Sequence, residues 1–510
     1  MVVRTNTGAV SGIGAVMVTV EVSITGGGLG LFLVGLPDNA VKESEQRVRA
    51  AFENSGYRMT VRKCVVNLAP ADLRKEGSGF DLPIAVAILA ATEQLSAEAL
   101  EDVVFVGELS LDGSIRGVKG VLPVAAEARA QGFRKIYVPQ ENAAEAAVVE
   151  GVEVYAVESL TQLASVLNGD LALEPTMGTK IENVEREEYM DDFADVKGQA
   201  HVKRAMEIAA AGGHNVIMIG PPGSGKTMLA KRMPSILPPM SREEALETTK
   251  IHSVAGKLGA MRGLMTHRPF RAPHHLASPV ALIGGGQTPQ PGEVSLAHNG
   301  VLFLDELPEF GHGVLEVLRQ PLEDKHISIA RARYAVDYPS NFTLVASMNP
   351  CPCGYYNHPT KECSCSPAAV HRYLGRVSGP LMDRIDLHVE VTPVSREEMS
   401  SEEVAESSAV VRERVMRARE VQAKRFQGLG IYTNTMMSSA MLRKFCPLSP
   451  TARRLLDAAM DRLQLSARAY DRIIKVARTI ADLEGEADIQ PQHISEAIGY
   501  RSLDRESWGR

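Results

Sequence analysis

The chain contains 510 residues, of which 45% are hydrophobic and 23% are charged, and it carries a formal net charge of −7. This length exceeds what one hydrophobic core organises, so two or three domains are expected, and the charge balance excludes a protein that is basic over its whole surface. No apolar run reaches the length of a membrane span, the N-terminus lacks the apolar core of a signal peptide, and six cysteines are too few for a disulfide framework, so we expect a cytoplasmic protein without a membrane partner.

The first 167 residues alternate β-prone and helical stretches. Apolar patterning predicts strands at residues 18–23, 30–34, 61–67, 103–109, 136–138 and 152–156, and helices at residues 39–54, 82–94 and 124–131. Between Lys180 and Val196, seven Asp or Glu residues stand against two Lys or Arg residues, and such a run is usually a solvated linker. We therefore predict an N-terminal domain over 1–167, an acidic linker over 168–192 and a second domain from residue 193.

A phosphate-binding loop is the most specific motif of the chain. Eight residues match the pattern G-x-x-x-x-G-K-[ST] in full, namely Gly220, Pro221, Pro222, Gly223, Ser224, Gly225, Lys226 and Thr227. The run before them is β-prone and the run after them is helix-prone, which is the strand–loop–helix context that the motif needs. The glycines would let backbone N–H groups point at the phosphates, Lys226 would reach the β- and γ-phosphates, and the Thr227 hydroxyl would bind Mg²⁺. The motif predicts a site for ATP or GTP.

A stretch without acidic residues follows the loop. Residues 248–292 contain no Asp or Glu but five Lys or Arg and four His, which suits contact with nucleic-acid phosphates because Lys and Arg release counterions there. A second basic candidate is 326–341, where two β-prone runs predict a hairpin. The DNA-contact candidates are Lys257, Arg262, Arg268, Arg271, Arg331 and Arg333. Both surfaces would bind the backbone without reading sequence; the alternative for the first is packing on a neighbouring subunit.

Two carboxylates end a short apolar run. Residues 301–304 have the continuous hydrophobicity of a buried strand in a parallel sheet, and Asp305 and Glu306 follow directly. Because ligands of open α/β sheets bind at the carboxyl ends of the strands, we expect both side chains beside the phosphate loop. Asp305 would hold Mg²⁺ through water, and Glu306 would polarise the water that attacks the γ-phosphate.

Four of the six cysteines are close together in sequence: Cys351, Cys353, Cys363 and Cys365. Four thiolates can close a tetrahedral zinc site, and a cytosolic setting disfavours disulfides. The C-x-C spacing is tighter than the common zinc pattern, and His358 within the loop is an alternative ligand. The pattern leaves a structural zinc site and reduced, metal-free packing open.

The C-terminal region is largely helical. Apolar periodicity predicts helices at residues 401–424, 449–463, 467–483 and 491–500. We therefore predict a nucleotide-binding domain over 193–394 and a helical domain over 395–510.

Further motifs give the central region a resemblance to AAA+ ATPases. Residues 193–199 resemble the motif that packs near the adenine, and the strand at 342–348 ends in Asn349, the place of the sensor-1 residue that orients water. The segment around Arg384 is similar to the one that supplies an arginine finger to a neighbouring subunit, and Arg468 resembles the sensor-2 position. The alternatives are a surface ion pair of Arg384 with Asp383 or Asp386, and an Arg468 that is one of several arginines in its region.

A narrower resemblance covers nearly the whole chain. Residues 210–215, 268–275, 291–298 and 349–354 are similar to the bacterial magnesium-chelatase-like group called YifB or ComM. The resemblance implies an α/β multidomain protein with a parallel-sheet AAA+ core and a helical lid. It also implies a hexameric motor that uses ATP and Mg²⁺ on single-stranded or branched DNA, as in branch migration during recombination of incoming DNA.

The N-terminal region resembles the α+β proteolytic domain of Lon-type proteases, which is of the ribosomal S5 type. Residues 75–83 lie where those enzymes carry the serine nucleophile, and the alignment places Gly79 there and Leu122 at the lysine position. Since the lysine activates the serine hydroxyl, we expect a non-catalytic domain, with a shifted Ser78–Lys119 pair as the alternative. The leading function is a DNA translocase; the rivals are a chelatase-like or chaperone-type motor on a protein partner and an ATP-dependent protease.

Overall fold

The computed structural model describes residues 2–26, 28, 30–60, 62–178, 191–258, 263–286, 289–331, 334–356, 358, 360–394, 405–463 and 465–501, with residues 331 and 334 described only in their backbone. The chain forms two compact units. The first comprises Met1–Arg186, Ser241–Thr266 and Ala330–Tyr338, and the second comprises Glu187–Met240, His267–Ile329 and Pro339–Arg510. Within the described ranges, no helix combines the length and the apolar character that crossing a bilayer requires.

The secondary structure is numbered in chain order. The strands are β1 (Val2–Ser11), β2 (Gly14–Thr25), β3 (Gly30–Val34), β4 (Lys63–Ala69), β5 (Val103–Phe105), β6 (Glu108–Leu109), β7 (Ile115–Arg116), β8 (Lys135–Pro139), β9 (Glu153–Val157), β10 (Val216–Ile219), β11 (Phe270–Arg271), β12 (Gly284–Gly285), β13 (Gln290–Pro291), β14 (Val301–Leu304), β15 (His326–Arg331), β16 (Tyr334–Pro339), β17 (Thr343–Met348) and β18 (Leu387–Glu390). The helices are α1 (Asn39–Lys42), α2 (Ser44–Asn54), α3 (Asp81–Ala91), α4 (Val121–Ala130), α5 (Ala143–Ala146), α6 (Leu160–Leu167), α7 (Ala200–Gly212), α8 (Lys226–Ile236), α9 (Arg242–Ala255), α10 (Pro279–Ile283), α11 (Glu293–Leu296), α12 (His312–Glu316), α13 (Arg319–Asp324), α14 (Pro367–Leu374), α15 (Gly379–Met382), α16 (Ser408–Arg425), α17 (Ser439–Phe445), α18 (Pro450–Leu463), α19 (Ala467–Glu484) and α20 (Pro491–Gly499).

The first unit is built on a mixed seven-stranded sheet with the order β3-β4-β2-β1-β5-β8-β9. The antiparallel pair β1–β2 runs its full length, from Val2 opposite Ser23 to Ser11 opposite Gly14. Helix α3, buried from Asp81 to Ala90, packs with the β1 and β2 side chains of one face, while α4 lies against the other face, where Val124 meets Gly8. The predicted strands and helices of this region are confirmed, but β1, β7, α5 and α6 were not predicted.

The segment that carries α9 belongs to the first unit. Ser241 caps the helix by accepting from the Glu244 N–H. On its buried side, the Ser253 hydroxyl donates to the Glu145 carboxylate, which also accepts from the Leu122 N–H at 2.9 Å. Residues 251–254, which belong to the acid-free stretch, are therefore interior to this unit rather than a basic surface.

The second unit contains a parallel five-stranded sheet with the order β11-β14-β17-β10-β18. Every residue of β10, β14 and β17 is buried, which explains their continuous apolar sequence, because a parallel sheet is covered on both faces. The C-terminal helices share this core: Val415 of α16 and Ile473 of α19 belong to the same buried cluster as Val216 of β10. The predicted parallel α/β core and helical C-terminal region are confirmed.

The acidic run expected as a linker is structured at its end. Residues 179–190 lie outside the described residues. The carboxylate of Asp192 accepts from the Ala194 N–H at 2.7 Å and from the Ser408 N–H at 3.0 Å. Asp195 binds the buried Arg232 guanidinium at 3.0 Å, so these two acids help to hold the start of the second unit together.

Candidate nucleotide site

The phosphate loop joins β10, which lies between β17 and β18, to the first turn of α8. Gly223 and Gly225 adopt left-handed conformations, with φ values of +77° and +88°, which side chains with a Cβ rarely adopt. The Ser224 hydroxyl is buried and has no hydrogen-bond partner among the described residues. A loop with these backbone turns and an unpaired inner hydroxyl fits a phosphate group, as the sequence motif predicts.

Lys226 is the buried cation of the site. Lys226 is only 8% exposed. Its ammonium group donates hydrogen bonds to the Gly220 carbonyl at 2.7 Å, to the Pro221 carbonyl at 2.9 Å and to Asn349 Oδ1 at 3.3 Å. Burial lowers the pKa of Lys226, and the carboxylates of Asp305 and Glu306 act against that shift. Lys226 is therefore a buried cation within hydrogen-bond distance of Asn349, the residue that the sequence predicts as sensor 1.

Two hydroxyl groups and one carboxylate meet beside the phosphate loop. The Thr227 hydroxyl donates to Asp305 Oδ2 at 2.9 Å, and the Ser347 hydroxyl of β17 donates to Asp305 Oδ1. Hydroxyl and carboxylate oxygens are the hard ligands that Mg²⁺ prefers. The sequence predicted Thr227 and Asp305, but it did not indicate Ser347, which has no motif of its own and reaches Asp305 only because β14 and β17 are paired.

Glu306 stands next to Asp305 in an unusual backbone conformation. Its φ is +53°, and its side chain is 55% exposed. The imidazole Nδ1 of His275 lies 3.7 Å from Glu306 Oε2. His275 lies in the acid-free stretch, and no sequence motif indicated that it would contact Glu306.

The four clustered cysteines converge in space. Their Sγ atoms all lie within 4.8 Å of one another, with separations of 3.3, 3.7 and 3.6 Å among Cys351, Cys353 and Cys363, and all are free thiols. Four sulfurs at about 2.3 Å from a tetrahedral zinc ion would stand about 3.8 Å apart, so this set fits the metal. His358 Nδ1 instead accepts the backbone N–H groups of Thr360 and Lys361, each at 3.1 Å.

The cysteine loop contacts the phosphate loop. Gly354 has a φ of +85°, and a Cβ built on it would stand 2.5 Å from Pro222 Cδ. Only a glycine fits so close to the proline ring. The loop that begins at Asn349 is therefore packed against the phosphate loop at its exposed turn.

The two candidate arginines line one cavity of about 520 Å³. Its lining includes the cations Lys325, Arg384, Arg468, Arg472 and Lys475 and the acids Glu323, Asp324, Asp386 and Asp471, and it includes no residue of the range 220–227. Burial lowers the pKa of Lys325 to about 8, against the attraction of Asp386. Arg384 and Arg468 are thus brought together in a cavity of mixed charge that their own phosphate loop does not line.

Arg384 is held in this cavity. It is 7% exposed, and its guanidinium contacts Glu323 Oε1 at 2.5 Å and donates to the Pro380 carbonyl at 2.6 Å. Its Nε is buried without a hydrogen-bond partner among the described residues. The ion-pair partner is therefore Glu323 rather than the Asp383 or Asp386 of the sequence alternative.

Arg468 is the more solvent-exposed of the two candidate arginines. Its side chain is 66% exposed and lies 3.9 Å from Asp383 Oδ2. At that distance and exposure, the ion pair is weak because water screens it. The guanidinium is therefore free to turn toward another ligand.

The DNA-contact candidates lie in several settings. Arg268 donates to the carbonyls of Pro238 and Asn299 at 2.5 and 2.7 Å, and Arg271 forms a bidentate pair with Glu293 at 2.6 and 2.8 Å. Both guanidinium groups are engaged in the fold. Lys257 is exposed, Arg262 and Arg333 lie outside the described residues, and Arg331 is described in its backbone only. The predicted hairpin is confirmed, since β15 and β16 form a two-stranded sheet.

The residues of the shifted protease dyad are engaged elsewhere in the first unit. The Ser78 hydroxyl donates to the Glu108 carboxylate rather than to an amine. The methylenes of Lys119 pack beside Gly256, where a built Cβ would stand 2.7 Å from Lys119 Cε. The described residues therefore hold no Ser78–Lys119 pair of the kind that activates a serine.

The fold and the site define a class of protein. A phosphate loop after one strand of a parallel sheet, an Asp-Glu pair after a second and an asparagine after the strand between them form a P-loop nucleoside triphosphatase site of the AAA+ type.

Comparisons with known proteins identify the family within that class. Residues 192–399 match the family model described as magnesium chelatase, subunit ChlI; residues 20–142 match the subunit ChlI of Mg-chelatase, and residues 405–501 its C-terminal region. The chain is 47% identical to YifB of Escherichia coli over 504 residues, which are 98% of this chain and 97% of that protein. It is 45% identical to the competence protein ComM of Haemophilus influenzae over 500 residues, 97% of this chain and 96% of the relative. The chain belongs to the YifB and ComM family of magnesium-chelatase-like AAA+ ATPases.

A shorter match concerns a protease. The chain is 29% identical to Lon protease 2 of Bacillus subtilis over 153 residues, which are 28% of this chain and 27% of that enzyme.

Proposed function

We propose that this protein is an ATP-driven ring motor, with six subunits, that binds and translocates on single-stranded or branched DNA and drives branch migration in recombination. The observation that carries the proposal is the separation of the two halves of the catalytic machinery. Arg384 and Arg468 line a cavity that contains no residue of their own phosphate loop. An arginine finger so placed acts on the nucleotide of a neighbouring subunit, which requires an oligomer.

The residues around the phosphate loop would position the nucleotide and stabilise its negative charge. Lys226 would exchange its carbonyl partners for the β- and γ-phosphates, and Thr227 and Asp305 would hold Mg²⁺, which would neutralise phosphate charge. Asn349, already 3.3 Å from Lys226, orients the attacking water, and Glu306 polarises it. Each group acts on a charge that grows in the transition state, which is where such contacts accelerate the reaction.

The DNA half of the proposal is supported by three observations. A relative that is 45% identical over almost its whole length carries the name competence protein ComM. Arg331 is the last residue of β15, one strand of the hairpin β15–β16. Lys257 is exposed just after α9. Arg268 and Arg271 are engaged by backbone carbonyls and by Glu293, so we propose the hairpin as the main DNA contact, with the exposed Lys257 as a second candidate.

We also propose that Cys351, Cys353, Cys363 and Cys365 hold one structural Zn²⁺ ion, which supplies no chemistry to hydrolysis. The closeness of the four Sγ atoms supports this site. Thiolates packed so closely repel one another unless a cation or protons neutralise them. The metal would brace Asn349 and, through Gly354, the phosphate loop.

Elemental analysis of the purified protein tests the zinc site. We expect one zinc ion per chain, lost in Cys363→Ser and retained in the matched variant Cys446→Ser, whose thiol is buried apart from the cluster. A wild-type protein without metal and with four reactive thiols would refute the site.

For the N-terminal domain, we propose a Lon-like fold without peptidase activity. The partial identity to Lon protease 2 supports the fold, and the Ser78–Glu108 hydrogen bond supports the loss of the dyad. A casein-degradation assay in the presence of ATP tests this: proteolysis that disappears in Ser78→Ala would contradict it.

The decisive experiment measures steady-state ATP hydrolysis at moderate salt without DNA and with single strands, duplex and a branched junction. We expect stimulation by DNA that weakens with salt and an inactive Lys226→Ala control. Hydrolysis that is indifferent to every DNA would instead favour a motor that acts on a protein partner.

A further inference from the structure

The carboxylate of Glu306, the proposed general base, lies on a largely exposed side chain. Its side chain is 55% exposed, and it leaves a backbone with a φ of +53°, outside the regular strand that precedes it. An exposed glutamate samples several rotamers, but general-base action requires one of them to face the water. A group that holds this side chain in place would therefore contribute to the rate.

His275 is in position to do this. Its Nδ1 lies 3.7 Å from Glu306 Oε2, slightly beyond a hydrogen bond. Hydrogen bonds of catalytic groups are often long in the absence of substrate and shorten in the reactive complex. The ring contacts Phe310 edge-on, with the centroids 6.4 Å apart, and His274, with the centroids 4.1 Å apart.

The fold determines the position of His275. His275 lies four residues after β11, which is paired in parallel with β14, and Glu306 lies two residues after β14. The turn around His275 is closed by hydrogen bonds from the Leu276 N–H to His274 Nδ1 at 3.2 Å and from the Ala277 N–H to the His274 carbonyl at 2.9 Å. The His275–Glu306 contact therefore joins two neighbouring strand ends rather than two freely moving surface side chains.

We propose that His275 is a positioning residue for ATP hydrolysis. Its imidazole N–H donates a hydrogen bond to the Glu306 carboxylate and holds it in the rotamer that polarises the attacking water. The inference rests on the proposed ATPase function and extends it, because it assigns a role to a histidine outside the nucleotide motifs. Basal hydrolysis without DNA tests it, so the DNA part of the proposed function does not enter.

The test compares His275→Ala, His275→Gln and the matched control His312→Ala, an exposed histidine on α12. We expect His275→Ala to lower kcat at least about tenfold, since a 1 Å misplacement can cost about 10²-fold, with unchanged KM and unchanged affinity for a fluorescent ATP analogue. His275→Gln, whose amide also donates, should recover most of the rate, and His312→Ala should match the wild type.

Three results would overturn the inference: a wild-type kcat in His275→Ala, a loss confined to KM or nucleotide affinity, or a Gln variant no better than Ala. Thermal unfolding and oligomeric state are recorded for each variant, and the Gln variant keeps the comparison valid if Ala does not fold. A wild-type protein that hydrolyses no ATP would refute the proposed function itself, and the inference with it.

Discussion

Replacement of Arg384 by alanine distinguishes the contribution of this residue to folding stability from its contribution to ATP hydrolysis. The Arg384 guanidinium contacts Glu323, whose side chain is 53% exposed, so the ion pair contributes at most about 1 kcal/mol to folding. The buried hydrogen bond to the Pro380 carbonyl is also lost, at a cost of about 1–3 kcal/mol. A finger arginine contributes roughly 10³–10⁵-fold to turnover, which is about 4–7 kcal/mol of transition-state stabilisation at 1.36 kcal/mol per factor of ten. The effect on catalysis should therefore exceed the effect on the free energy of unfolding.

Mixed oligomers test whether the arginine acts between subunits. Arg384→Ala subunits keep an intact phosphate loop, and Lys226→Ala subunits keep an intact arginine. Each variant alone should be inactive, but in a random one-to-one mixture roughly a quarter of the interfaces would combine a working loop with a working arginine. We expect recovery of ATP hydrolysis on that scale, measured after subunit exchange.

Two outcomes would refute this reasoning. Arg384→Ala with wild-type turnover would remove the residue from the site. If mixed oligomers form, as judged by their size, but remain inactive, then Arg384 does not act on the nucleotide of the neighbouring subunit.

Three further predictions concern single contacts. Asp305→Asn should retain binding of a fluorescent ATP analogue in EDTA but lose Mg²⁺-dependent hydrolysis about 10²-fold or more, because one ligand charge is removed; unchanged hydrolysis would contradict the Mg²⁺ assignment. Gly354→Ala should lower the free energy of unfolding by about 2–4 kcal/mol, from the left-handed φ and the clash with Pro222; denaturant titration against Gly313→Ala, where the built Cβ meets nothing within 4 Å, checks this. Ser253→Ala should lower the free energy of unfolding by about 1–3 kcal/mol, because the buried Glu145 carboxylate loses a hydrogen-bond donor. If amide hydrogen exchange in α4 and α9 of the variant matches the wild type, this loss of stability is refuted.

The amino-acid sequence by itself determined the nucleotide site and most of the regular structure. Phosphate binding needs glycines, a lysine and a hydroxyl at adjacent positions, so residues 220–227 are recognisable without any knowledge of their surroundings. Apolar periodicity is also local, and the predicted helices over 449–463 and 467–483 agree with α18 and α19 within a residue. The pairing of Thr227 with Asp305 followed from the rule that strand ends meet at one edge.

Only the tertiary structure decided which separated segments meet. The acid-free stretch has one composition, yet α9 packs within the first unit while Arg271 binds Glu293 in the second. The partner of Arg384 is Glu323 rather than an aspartate near it in sequence. Ser347 contacts Asp305, and His275 contacts Glu306, from segments that strand pairing brings together. Charge and periodicity are properties of neighbouring residues, whereas these contacts depend on strand order and on helix packing between distant segments, and no local pattern encodes either of them.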